Sequence, residues 1–246
     1  MTRSPEIALV TGASGGVGRA IALELAARGD EVCLMGRRAE ALHDVAEAAG
    51  DGARVRAYPA DLTDDADVAA LAAAVTRDAG GVDVLVHAAG IIALGTVGEA
   101  SSEDLDRQFR TNVRGPYILT QALLPSLRAR RGQVVFINSS AGVTGRAGAG
   151  QYAVTKHALR ALADSLREEV NQDGIRVLSV FLGRTATPMQ AAIHQAEGRV
   201  YEPERLIRPE DVASIVVSLL RLPRSVEVTD LTLRPMQKPA PQRAAQ

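Results

Sequence analysis

Apolar residues along the 246-residue chain follow two alternating patterns. Short, nearly continuous runs rich in β-branched residues read as strands: "EIALVT" (6–11), "EVCLMG" (31–36), "ARVRAYPA" (53–60), "VDVLVHA" (82–88), "QVVFINS" (133–139), "IRVLSVF" (175–181) and "VTDLTL" (228–233). Between them lie segments with helical spacing: 16–28, 39–49, 64–79, 103–129, 152–172 and 210–221. Strands with no polar face belong to a parallel sheet covered on both sides. Right-handed crossovers then make the doubly wound α/β fold the simplest topology. The expectation is one domain over 1–246 with a seven-stranded parallel sheet, a lid at about 184–208 and an irregular tail over 235–246. Gly115 and Pro116 interrupt the fourth helical segment, and the missing proline N–H should kink it near Asn112.

Composition narrows the class. The hydrophobic share of 46% supports a sizeable core, and a net charge of −1 disfavours a nucleic-acid surface. No apolar stretch approaches the roughly 20 residues of a membrane span, and the N-terminus does not read as a signal peptide. Cys33 is the only cysteine and sits in an apolar run, so it reads as a buried thiol in a reducing compartment. A soluble cytoplasmic protein is expected.

The first strand runs directly into "TGASGGVG" (11–18), and a helical pattern follows at once. Gly12, Gly16 and Gly18 would let the backbone turn sharply and approach a pyrophosphate, with Ser14 and Val17 in the same turn. The amides at the helix N-terminus would face that anion. The second strand ends in "LMGRRAEAL": Gly36 stands where an acid would hold a ribose 2′-hydroxyl, and Arg37 and Arg38 follow. Two guanidiniums without a carboxylate favour NADP(H) over NAD(H). No metal site is indicated.

"QYAVTKHAL" (151–159) places Tyr152 four residues before Lys156, on one face of a helix. A neighbouring cation favours the phenolate and should bring the phenol toward neutral pH, where it can exchange a proton with a substrate oxygen.

These stretches, with "DL" (61–62), "HAAG" (87–90), "TNVRG" (111–115), "NSSAG" (138–142), "GRTATPM" (183–189) and "RPEDVA" (208–213), make the chain resemble the short-chain dehydrogenase/reductases of about 250 residues, a Rossmann-type family. The resemblance implies that Tyr152 is the acid/base and Lys156 its partner, also touching the nicotinamide ribose. It makes Ser139, rather than Ser140, the catalytic serine, and Asn112 the holder of a relay water. Asp61 and Leu62 would border the adenine and Ala89 and Gly90 the ribose, while Gly183, Thr185 and Thr187 would position the carboxamide. Three features depart from the family pattern. His87 and Ala88 replace two asparagines, so another group must brace the sheet. Leu182 stands where a proline usually opens the nicotinamide loop, and "VTDLTLRPM" replaces a glycine-rich ending.

The activity implied is hydride transfer between NADP(H) and a small carbonyl or secondary alcohol. Two alternatives stand beside it: a beta-ketoacyl reductase docking an acyl-carrier protein through "RARR" (128–131), and a non-catalytic NADPH-binding regulator. Epimerases of the same fold usually carry a different glycine motif. Met189, Ala191, Ala192 and Ile193 would wall the substrate, and Arg184 and Arg199 are candidates for a substrate carboxylate. The helices at 103–129 and 152–172, with Leu119, Ala122, Leu123, Ala158, Ala161 and Leu162, are expected to pair in a homo-oligomer, tetramer or dimer.

Overall fold

The computed structural model describes residues 4–237; the expected irregular tail lies outside the described residues from 238 onward. Seven parallel strands form one sheet in the order β3-β2-β1-β4-β5-β6-β7. They are β1 (Ile7–Thr11), β2 (Glu31–Gly36), β3 (Val55–Pro59), β4 (Val84–His87), β5 (Gln133–Ser139), β6 (Arg176–Leu182) and β7 (Asp230–Leu233). The predicted third and fourth strands are each shorter than their apolar runs, because the flanking residues turn into the adjoining loops.

Side chains alternate across the sheet and build two cores. Ala8, Val10, Val32, Leu34 and Val86 pack beneath α1 (Gly16–Ala27), α2 (Ala39–Ala48) and α8 (Pro209–Leu220). Leu9, Cys33, Leu85 and Phe136 face α3 (Asp65–Ala79), α5 (Gly115–Arg130) and α6 (Gly150–Val170). Cys33 has no exposed surface, and burial pushes its thiol up to about 12, with the Glu31 carboxylate acting in the same direction.

The kink expected near Asn112 is a change of helix type. α4 (Ser102–Phe109) passes into a π-turn at Arg110–Arg114 before α5 begins. Pro116 sits in the first turn of α5, where the helix type changes from π to α. Gly115 is required by contact: a Cβ there would lie 2.6 Å from the Leu62 carbonyl oxygen. The segment after Thr187 forms α7 (Pro188–Ala196). Among the described residues no helix is long and apolar enough to cross a membrane.

The chain order reverses at β1, whose neighbours are β2 and β4. In an open parallel sheet this reversal leaves a crevice at the carboxyl ends of the strands, where ligands bind.

Candidate active site

The glycine turn and the ends of β4, β5 and β6 meet at that crevice. The glycine turn follows β1. Gly12 (φ +64°) and Gly16 (φ +52°) occupy the left-handed region. Space excludes larger residues as well: a Cβ on Gly12 would meet Ala89 Cα at 2.7 Å, and one on Gly18 would meet the Gly12 carbonyl oxygen at 2.4 Å. Gly16 lies against Thr187, whose Cγ2 would be 3.2 Å from a Cβ there, so the turn touches the loop after β6. α1 starts with no side-chain cap and no acid in its first turn. Its amides are left for an outside anion, and nothing lies within 4 Å of where Gly15 would carry a Cβ. This bare, glycine-lined helix start fits a pyrophosphate.

Ser14 lies beside Gly36, and Arg37 and Arg38 follow as exposed cations with no ion pair among the described residues. Val17 packs its side chain against the core, leaving its backbone to the turn. Asp61 accepts from Thr63 N and Oγ1, both at 2.8 Å. Leu62 is 4% exposed and belongs to the core, so only its main chain can border a ligand. A Cβ on Gly90 would lie 3.3 Å from Asn112 Oδ1 and 3.8 Å from Lys156 Nζ.

The candidate catalytic groups converge beside it. Tyr152 and Lys156 share a face of α6, with Nζ 5.7 Å from the ring centroid. Ser139 ends β5 close enough to the phenol to favour its ionised form, while Ser140 is exposed on the following turn, which separates the two serines. Lys156 Nζ donates to the Ile137 carbonyl at 3.1 Å, and burial lowers its pKa to about 8. The phenol moves opposite to expectation. Desolvation around its hydroxyl pushes it up to about 12 although the ring is only half-buried, and Ser139 and Arg146 oppose this only in part. Burial dominates the shift, so Tyr152 is a proton-bearing acid.

Asn112 is almost fully engaged. Its Nδ2 donates to the Ile91 carbonyl at 2.9 Å and Thr155 Oγ1 at 3.1 Å, and its Oδ1 accepts from Ile91 N at 2.8 Å. One acceptor position on Oδ1 remains open. The sequence reading missed Thr155, Ile91 and Asn138. Buried Asn138 accepts from Ser139 N at 2.8 Å and donates to the Lys156 carbonyl at 3.1 Å, tying serine to lysine. The signal for it was its place in "NSSAG".

The departures find structural answers. His87 is 1% exposed; Nε2 meets Thr120 Oγ1 at 2.8 Å, and the ring stacks on Phe136 with centroids 4.9 Å apart. Burial lowers its pKa to about 3, so it is a neutral packing group under the sheet. Thr11 Oγ1 accepts from Ala88 N and Ala89 N at 3.1 and 3.2 Å and braces β1 to β4. Leu182 extends β6 between Ser139 and Leu233. The loop beyond it is held by Gly183 N to Leu233 O, Thr185 Oγ1 to Gly183 O, and Ala186 N to Ile207 O. Thr187 caps α7, its Oγ1 accepting from Gln190 N.

Arg184 and Arg199 do not await a ligand: both reach Glu197, at 2.6 and 3.2 Å. Leu119 and Leu123, expected at an oligomer face, are buried in the core.

The comparisons with known proteins agree with this geometry. The chain is 34% identical over 242 residues to the glycine betaine reductase ATRR of Emericella nidulans, covering 96% of this chain but only 19% of that much longer protein. It is 34% identical to an uncharacterized short-chain type dehydrogenase/reductase, y4eK, of Sinorhizobium fredii, covering 94% of this chain and 91% of the relative. The alcohol dehydrogenase of Thermococcus sibiricus, solved with 5-hydroxy-NADP, superposes with a TM-score of 0.88 at 29% identity, covering 96% of this chain and 99% of that one. The family model described as short chain dehydrogenase matches residues 6–198, and the chain belongs to the short-chain dehydrogenase family.

Proposed function

We propose that the protein is an NADP(H)-dependent oxidoreductase acting on a small carbonyl compound or secondary alcohol, with Tyr152 as its acid/base. The observation that carries this reading is the meeting of Tyr152, Ser139 and Lys156 beside a bare glycine-lined helix start at the sheet's reversal point. The exposed guanidiniums of Arg37 and Arg38 support the 2′-phosphate form of the cofactor, as does the 5-hydroxy-NADP in the Thermococcus enzyme.

When bound, the nicotinamide supplies or accepts the hydride. Ser139 and Tyr152 donate to the substrate oxygen as negative charge builds on it. Tyr152 then gives up its proton, and the raised phenol keeps that proton available throughout the neutral range. Lys156, charged below about pH 8, steadies the phenolate left behind. Asn112 fixes Ile91 and Thr155 around the site and offers its remaining acceptor position to a water that returns the proton.

The acyl-carrier reading loses its anchor. Arg128 pairs with Asp173 and Arg130 with Asp83, just before β4, at the sheet edge opposite the crevice. A purely regulatory role gains no support from a site that retains both tyrosine and lysine.

Nicotinamide absorbance with a carbonyl panel tests the proposal: NADPH should serve better than NADH. Tyr152→Phe should keep NADPH binding while turnover falls by roughly 10²–10⁴-fold. Near-normal turnover in that variant, or a preference for NADH, would overturn it.

A further inference from the structure

Between β6 and α8 the chain leaves the sheet and returns through a narrow neck. Ile207 N donates to the Arg184 carbonyl at 3.1 Å, and Ala186 N donates to the Ile207 carbonyl at 2.8 Å. Ile207 packs against the core beneath α8, so the neck is anchored. α7 lies within this excursion. It starts at the crevice, because its capping residue Thr187 is the one beside Gly16.

Apolar packing does not seat α7. None of its residues joins either hydrophobic core, and its two buried side chains are polar: Gln190 at 9% and His194 at 5% exposure. The group that meets this polar face is Arg184, which stands at the neck. Its Nη2 donates to both oxygens of Glu197, at 3.0 and 2.6 Å, and its Nη1 lies 3.2 Å from His194 Nε2. A guanidinium only donates, so His194 Nε2 accepts, and the Nδ1–H is given to the Gln190 carbonyl at 2.8 Å. Arg199 completes the cluster: its Nε lies 3.2 Å from the same carboxylate, and its backbone N donates to the His194 carbonyl at 2.8 Å. Gln190, His194 and Glu197 are spaced i, i+4 and i+7, which makes them one stripe of the helix turned toward Arg184. Hydrogen bonds exchange for water at small net cost. A helix with no core residue therefore belongs to the easily opened part of a fold, and its seat depends on the few polar contacts that hold it.

We infer that Arg184 is a positioning residue, which seats α7 from the neck through Glu197 and His194 and so sets substrate affinity without touching the substrate. The consequence for substrate rests on the proposed reductase activity. Both terminal nitrogens of Arg184 are committed within the protein, so it offers no charge to a ligand. The stripe of α7 next to the clasp carries Met189, Ala192 and Ile193. Seating the helix brings that apolar stripe, rather than a cation, to the substrate.

Hydrogen exchange of the full-length protein reads the seating without any turnover. Arg184→Met keeps the length of the stem and removes its donors. Amides of residues 188–197 should then exchange about tenfold faster, the equivalent of one good charge-assisted contact, while those of β1, β4 and β5 stay unchanged. Glu197→Gln should act in the same direction, and the double variant should exchange no faster than Arg184→Met, because the two groups act through each other. Arg184→Lys should recover part of the protection, since one ammonium reaches the carboxylate but not the imidazole as well. The kinetic arm uses NADPH and the carbonyl that wild type reduces best in the panel. Arg184→Met should raise KM for that carbonyl about tenfold, while kcat and NADPH binding, read by nicotinamide fluorescence, change less than about threefold. Unchanged exchange in α7, or additive effects of the two substitutions, would overturn the inference. So would a loss of NADPH binding in step with KM, or a fall in kcat at constant KM. If wild type oxidises NADPH with no carbonyl, the reductase reading fails, and the exchange of α7 alone decides whether Arg184 seats the helix.

Discussion

His87 shows what burial does to a single residue. Its ordinary pKa of 6.5 falls to about 3 in the fold, because desolvation disfavours the charged ring. The unfolded chain therefore binds a proton between about pH 6.5 and 3 that the folded chain does not, and stability is lost as pH falls through that window. His87→Asn should keep a polar contact to Thr120 without titrating. Its urea midpoint should fall less than that of wild type between pH 7 and pH 5; parallel shifts in the two proteins would contradict this. The same physics reversed one expectation at the site. The i, i+4 spacing of Tyr152 and Lys156 was legible in the sequence, and so was Ser139. The direction of the phenol's shift was not, because it depends on how much water reaches the hydroxyl, which no local spacing records. Asn138 and Thr155 escaped notice for a related reason, since their contacts cross 18 and 43 residues of chain.

At the scale of elements, the segment from Ser102 to Arg130 carries the clearest lesson. Its Gly-Pro pair made a break legible, yet the break is a π-turn whose extra residue allows Asn112 to clamp Ile91. The wider turn follows from tertiary contacts that local pattern does not contain. Gly115, directly after it, is in helical conformation (φ −58°), so its glycine identity reflects space alone. Gly115→Ala would drive a methyl to 2.6 Å from the Leu62 carbonyl oxygen, which belongs to backbone and cannot swing away. Overpacking of this kind costs about 1–3 kcal/mol, or roughly 2–4 °C of melting temperature per kcal/mol in a chain of this size. A thermal melt checks it; an unchanged transition would show that α3 and α5 can separate freely. The expectation that Leu119 and Leu123 face a partner failed for a related reason. A helix lying on a sheet and beside a second helix buries a wide stripe, and these leucines fall inside it.

For the whole molecule, the seven-strand parallel architecture was readable because each apolar run was bounded by turn residues and followed by a helical pattern. The strand order was not spelled out by that pattern; it is set by the crossovers. Among the exposed positions of α4, α5 and α6 are several apolar ones: Phe109 at 42%, Tyr117 at 51% and Val154 at 56% exposure, with Ala122 and Ala161 also exposed. Apolar surface of this kind on two neighbouring helices is expected to be buried by a second copy. Light scattering on a sizing column at micromolar concentration should give at least twice the 25.9 kDa chain mass. A monomer would leave these residues as ordinary surface, and a Tyr117→Arg variant of an oligomer should dissociate. The position of Cys33 has a practical outcome for following α7 and the segment beyond it. A thiol with no exposed surface, held at about 12, is not the thiolate that maleimides and iodoacetamides attack. The native chain should behave as a cysteine-free background, and a cysteine placed at exposed Ala192 or Val200 should be the single position that a fluorophore or spin label finds. With no tryptophan in the sequence, the emission of such a probe, or of reduced nicotinamide itself, can be read without indole interference.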